Sequence, residues 1–266
     1  MRAQRIYTTE AVVLRVRRMG EADSVLTLFS GDRGKFDAVA RGVRKLISRK
    51  AGHLEPLTHS SLLLAHGSNL DIITQAQAIH TFLPMREDLR RLGAGLYTAE
   101  LVDRFMMERE ESYMVFRLLV DTLKRLSEGE DVDLSLRYFE VRLLAEAGFR
   151  PQLSACVTCG EPLKPVVNHF SVTGGGAVCP SCRPAGSGLP PISVNAVKVL
   201  RLMLRGAYAE AARLRLDDDL MQEMESTLRL AVQRQLEREP RSLQFLRELK
   251  RPYAAGANLS RRAPVP

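Results

Sequence analysis

Four cysteines are the residues of this 266-residue chain whose type and spacing most directly suggest chemistry. They fall in two pairs, Cys156-x-x-Cys159 and Cys179-x-x-Cys182, with 19 residues between the pairs. Two thiolates three apart on a tight turn can bind one face of a tetrahedral ion. A second such turn, returned by a hairpin, closes the other face. Gly160 and Pro180 suit sharp turns, and Phe170 and Val172, between Asn168 and Gly174, can supply the hairpin. Four sulfurs leave no open position, so Cys156, Cys159, Cys179 and Cys182 are expected to hold one structural Zn2+ rather than a catalytic metal. His169 is left outside a shell that the sulfurs fill.

The second feature is cationic. From residue 33 to residue 50 the chain carries Arg33, Lys35, Arg41, Arg44, Lys45, Arg49 and Lys50 against one acid, Asp37. Such a run can be a solvated loop or a surface for a polyanion. Its position between strand-like segments favours the second reading, with Lys35 projecting from a barrel rim and a helical turn setting Arg41, Arg44 and Lys45 on one side. The wider charge distribution agrees. Residues 1–83 carry a net +5, residues 84–150 a net −3 and residues 151–266 a net +6, within a chain total of +8. A basic, acidic, basic order suggests contact with a polyanion at both ends and a more neutral scaffold between them.

The residues needed for catalysis are missing. Gly31-Asp32-Arg33-Gly34-Lys35 resembles a phosphate loop, but Phe36 stands where Ser or Thr is needed and a strand follows it. There is no Gly-x-Ser-x-Gly elbow and no His-Glu-x-x-His. No apolar run approaches the roughly 20 residues that span a bilayer, and the first residues lack the apolar core of a signal peptide. The expected protein is therefore a non-enzymatic, cytoplasmic one without membrane contact.

These side chains need elements to position them. Residues 9–82 alternate as strands at 9–18, 24–30, 35–40, 57–66 and 70–82, enough for a small barrel. An OB-fold with one long basic connection fits, and an SH3-like barrel competes with it. Residues 85–148 switch to helical periodicity in three segments, with Asp133 the expected cap of the third and Gly148 its stop. Pro151–Pro191 is rich in Gly, Pro and Cys. Helices resume with Ser193 as the cap of 194–204, a segment opened by Asp217 or Asp218 to about Leu236, and a short one that starts at Ser242. The fold class is thus multidomain α+β: an N-terminal OB-fold barrel (1–83), an α-helical domain (84–250) with an inserted four-cysteine segment (about 151–191), and a basic tail (251–266).

Several strings resemble the bacterial RecO family of recombination mediators. They are Glu10-Ala-Val-Val-Leu14, Gly20-Glu-Ala-Asp-Ser24, Gly34-Lys35, Ala40-Arg-Gly-Val-Arg-Lys45, Tyr97-Thr-Ala-Glu-Leu-Val-Asp-Arg104, Leu136-Arg-Tyr-Phe-Glu-Val-Arg-Leu-Leu144 and Gly148-Phe-Arg-Pro-Gln-Leu153. The resemblance implies an OB-fold that binds single- and double-stranded DNA and anneals complementary strands. It also implies partners: RecR, often RecF, and the single-strand-binding protein, on whose coated DNA RecA is loaded. The chain has no Trp and 6% aromatic residues, so its DNA contacts should rest on phosphates and be independent of sequence. A zinc-ribbon protein–protein adaptor with a merely solvated basic loop is the alternative.

Overall fold

The computed structural model describes residues 6–250; the basic tail expected at 251–266 lies outside the described residues. Five strands open the chain: β1 (Ile6–Met19), β2 (Asp23–Ser30), β3 (Gly34–Ala40), β4 (His59–Ala65) and β5 (Asp71–His80). They pair in the order β1-β2-β3-β5-β4, and β4 returns to β1. All contacts are antiparallel except the closing seam, where β3 meets β5 in parallel through Ala38↔Asp71 and Val39↔Ile72. This ring with a short seam and a long β3–β4 connection is the OB-fold arrangement rather than an SH3-like one.

The run Ala11–Leu14 is buried on both faces of β1, which explains why it is apolar without alternation. Ala11 and Val13 point inward with Leu26, Leu28, Phe36, Leu62, Leu64 and Ile73. Val12, Leu14 and Phe29 point outward into the core of the helices. One wall of the barrel is thus the floor of the helical domain.

That domain is built from α1 (Leu83–Arg86), α2 (Leu89–Phe105), α3 (Tyr113–Glu128) and α4 (Val132–Glu146). A small sheet follows, formed by β6 (Asn168–Ser171), β7 (Gly176–Val178) and β8 (Pro191–Ile192), then α5 (Val194–Arg205), α6 (Tyr208–Ala211), α7 (Asp218–Leu236) and α8 (Arg241–Lys250). Asp88, Ser112, Ser193 and Asp217 cap their helices through side-chain oxygens. The cap of α4 is Asp131, which accepts from Leu134 N–H at 2.7 Å, and not Asp133. Asp133 lies inside the first turn and pairs with Arg90 at 2.5 Å. Glu100 on α2 accepts from the backbone of Arg241 and Ser242, seating α8 on α2.

A polar cluster lies inside this core. Arg137 and Glu140 are 2% and 1% exposed and meet at 2.9 Å. Tyr97 Oη donates to Glu140 at 2.8 Å, and Arg137 also reaches Glu225 at 3.6 Å. Arg137 is thus paired with a carboxylate of its own helix and with one of α7, as a buried charge requires. Among the described residues no helix is long and apolar enough to cross a membrane.

Candidate metal centre and nucleic-acid interface

Two turns build the cluster of four cysteines. In the first, Gly160 N–H donates to Cys156 C=O at 2.9 Å, and Gly160 takes φ +78°, which lets the chain reverse directly after Cys159. In the second, Cys182 N–H donates to Cys179 C=O at 3.1 Å across a 3₁₀ turn at Pro180–Cys182. Val157 N–H bonds Ala177 C=O at 2.9 Å, so β7 carries the second turn to the first. The unit is anchored by Phe170 and Ile192 in the helical core and by Arg201 of α5, whose Nε donates to Leu153 C=O at 2.7 Å.

All four sulfurs lie within 4.8 Å of one another, and Cys159 and Cys179 are 4.0 Å apart. A tetrahedral zinc with sulfur ligands keeps them about 3.8 Å apart. The four cysteines are free thiols rather than disulfides. Burial pushes the Cys156 thiol up, but N–H donors from Cys179, Cys159 and Thr158 outweigh it and bring it down to about 6. Cys182, facing the other sulfurs, is pushed up to about 12. Thiolates are the form in which cysteines ligate a metal, and four sulfurs at this spacing can enclose one ion. The donor set therefore fits a single thiophilic metal ion. His169 is not among its ligands.

The seven cations expected to form one patch are divided by the barrel. Arg33 sits in the β2–β3 hairpin, and β3 then runs from Gly34 to Ala40, about 20 Å at the usual rise per residue. Arg33 and Lys35 are therefore at the end that faces the helices, and Arg41 onward at the opposite, free end. The Arg33 guanidinium stacks 3.7 Å over the Tyr7 ring. Lys35 is 15% exposed; its Nζ donates to the Asp103 carbonyl and lies 3.5 Å from the Asp103 carboxylate of α2. The expected projection of Lys35 from the rim is thus corrected: a carboxylate 68 residues away in sequence takes its charge. Gly34, at φ +63°, makes this approach possible, since a Cβ there would stand 2.1 Å from the Glu110 carbonyl oxygen.

At the free end Arg41, Arg44, Lys45 and Arg49 are exposed. No helix carries them; Arg41–Ser48 is a series of turns, and the 3₁₀ turn comes later at Ala51–His53. The loop is held at its base by Gly42 N–H to Asp23 Oδ1 at 2.7 Å and Arg44 N–H to Ala22 C=O at 2.9 Å. Lys50 folds back, donating to Ile73 C=O at 2.9 Å, and burial holds its pKa below the usual lysine value. Arg18 joins this end instead. Its register partners, Arg18↔Ser24 and Ser24↔Ala40, set it two strands from the start of the loop. The signal in the sequence was the Arg15-Val-Arg-Arg18 run on β1, but Arg15 and Arg17 face Asp103 and Asp37.

Among the described residues the barrel offers no free Phe or Tyr ring. Phe29 and Phe36 are buried, and the Tyr7 ring is covered by Arg33 while its hydroxyl donates to Asp71 at 2.5 Å.

Comparison with known proteins accounts for nearly the whole chain. Residues 1–82 match the family described as recombination protein O N terminal, and residues 86–244 that described as recombination protein O C terminal. A protein of Roseiflexus sp. (strain RS-1) named DNA repair protein RecO is 41% identical over 263 residues, covering 97% of this chain and 93% of its own. Its namesakes in Dehalococcoides mccartyi (strain BAV1) and Desulforudis audaxviator are each 37% identical over 244 residues, covering 92% and 91% of this chain and 96% and 97% of their own.

Proposed function

The chain belongs to the RecO family of DNA repair proteins, and from that premise we propose that it is a non-catalytic recombination mediator whose DNA surface is the free end of the barrel. It binds single- and double-stranded DNA there and anneals complementary strands. With RecR, and RecF where present, it helps RecA load on DNA coated by single-strand-binding protein. The observation that carries the DNA surface is the group of four exposed cations, Arg41, Arg44, Lys45 and Arg49, on a loop fixed to the barrel by backbone hydrogen bonds. With Arg18 they can neutralise phosphates of two strands that otherwise repel each other. The contacts are independent of sequence because phosphates carry no sequence information.

The metal of the cysteine cluster is zinc in this reading. Cys156, Cys159, Cys179 and Cys182 would hold it, and it would fix the fold of residues 151–191 by closing a four-sulfur shell.

The single-strand-binding protein's acidic, apolar-ended tail calls for an apolar groove with a basic rim. The groove between α3, α4 and α6, about 330 Å³, is lined by Met114, Leu118, Tyr138 and Tyr208 and by three arginines, Arg117, Arg125 and Arg142, against two carboxylates, Asp121 and Glu146. It supports this second contact.

A strand-annealing assay tests the reading. The protein should accelerate pairing of complementary oligonucleotides, and the Arg41→Ala, Arg44→Ala, Lys45→Ala triple variant should lose most of that acceleration while keeping its melting temperature. A wild-type protein that neither binds nor anneals DNA would leave the adaptor reading, with a solvated loop, in its place.

A further inference from the structure

Between the cations of the free end sits an apolar pair that phosphate binding does not explain. Leu46 and Ile47 are 106% and 89% exposed, the highest values of any large apolar side chain among the described residues. They are the two central residues of a β-turn, closed by Ser48 N–H donating to Lys45 C=O at 2.9 Å. Turn tips favour Gly, Pro, Asn, Asp and Ser; two bulky aliphatic residues run against that chemistry. Neither takes a positive φ, so no backbone requirement accounts for them.

The loop does not draw them in. Its apolar plug is Val43, 8% exposed and packed against the inside of the barrel. The bonds from Gly42 and Arg44 to the β1–β2 hairpin then fix the turn pointing away from that plug. Exposed Arg44, Lys45 and Arg49 flank the pair on both sides. The occupant of such a tip must present anionic groups next to flat apolar surfaces. An unpaired nucleic-acid strand does so, with its phosphates on one side and its bases free to part; a duplex keeps its bases stacked inside. Aliphatic side chains can wedge between bases in place of rings, and among the described residues this barrel has no free Phe or Tyr ring to stack.

We propose that Leu46 and Ile47 pack against, or between, the bases of a single strand whose phosphates are held by Arg44, Lys45 and Arg49. This gives the free end a preference for unpaired over paired DNA. The inference rests on the DNA-binding reading above and deepens it.

The test separates base contact from phosphate contact. Fluorescence anisotropy is measured for the full chain and a Leu46→Ser, Ile47→Ser variant, each with an oligothymidylate and with an abasic strand of equal length and charge. Both side chains are in solvent, so the variant should keep its melting temperature; a Leu46→Met, Ile47→Val variant, which keeps apolar side chains at the tip, should rescue the discrimination that serine removes. The wild type should bind the base-bearing strand roughly tenfold more tightly than the abasic one. The serine variant should lose that difference while the salt dependence stays the same.

A serine variant that still discriminates by the wild-type factor overturns the inference and leaves the DNA-binding reading standing. A wild type that binds neither strand overturns both. Vesicles of anionic phospholipid that sediment the wild type but not the serine variant, with DNA binding equal in the two, would assign the apolar tip to a membrane surface instead.

Discussion

The two ends of the barrel carry neighbouring cations of one sequence segment and use them in opposite ways. At the end facing the helices, Arg33 lies on the Tyr7 ring and Lys35 is tied to Asp103 of α2. At the free end, Arg41, Arg44, Lys45 and Arg49 project into solvent. The one carboxylate tied to the base of that loop, Asp23, accepts from Gly42 N–H. Only the rest of β3, from Phe36 to Ala40, separates the two groups. What decides the fate of each basic residue here is the group that lies against it: the Asp103 carboxylate of α2 for Lys35, and the Tyr7 ring of the barrel itself for Arg33. Lys35 holds two domains together, Arg33 is taken up by Tyr7 within the barrel, and the cations at the second end remain available to a polyanion.

Three changes should bear on the helix-facing side and its attachments without touching the free end. The largest is loss of the metal. Cys156→Ala should release the ion, read by metal analysis, and cost several kcal/mol of stability, given the binding energies of four-sulfur zinc sites. The salt dependence of DNA binding should stay as it was. Next is the interdomain pair. Lys35→Met leaves the half-buried Asp103 with Arg15, 3.6 Å away, as its remaining cation and should cost about 1 kcal/mol in chemical denaturation, again with unchanged DNA binding. If Lys35→Met instead weakens DNA binding at full stability, the distinction between the two ends fails.

The smallest effect is on pH. His59 lies at the helix-facing end of β4, buried edge-on against Phe116 at 5.5 Å. Burial lowers its pKa below the ordinary value, against the pull of Glu10 at 3.3 Å, while His80 and Lys124 add to the lowering. The unfolded chain therefore takes up this proton before the folded one does. Its contribution is present above the ordinary histidine pKa of about 6.5 and is lost as pH falls through the depressed value. Equilibrium unfolding between pH 7.5 and 5 should show stability falling with pH, and His59→Gln should flatten that slope.

What could be read in the sequence was what depends on near neighbours. The Cys-x-x-Cys pairs specify their own turns, and a hairpin between them is enough to bring them together. The strands were legible because alternation is local, and their expected limits differ from β1–β5 by at most three residues. Asp131 and Asp133 both look like caps; the backbone selects Asp131, because α4 starts at Val132. Lys35 was misread because its partner comes from another domain. Arg18 was overlooked because only the register of β1, β2 and β3 brings it beside the basic loop. The four-residue helix α6 has too few turns to show a period. The Arg137–Glu140–Tyr97 cluster is visible in the sequence only as charged residues inside apolar helices, since its members meet across α2 and α4.

The salt dependence of single-strand binding tests the central claim most directly. If Arg18, Arg41, Arg44, Lys45 and Arg49 meet phosphates, log affinity against log salt should fall with a slope near −3.5, at about 0.7 per contact. The Arg41→Ala, Arg44→Ala, Lys45→Ala variant should bind every sequence more weakly and reduce that slope by about two units, while Lys35→Met keeps the wild-type slope. A folded triple variant with the wild-type slope would contradict the account and move the DNA surface away from the free end of the barrel.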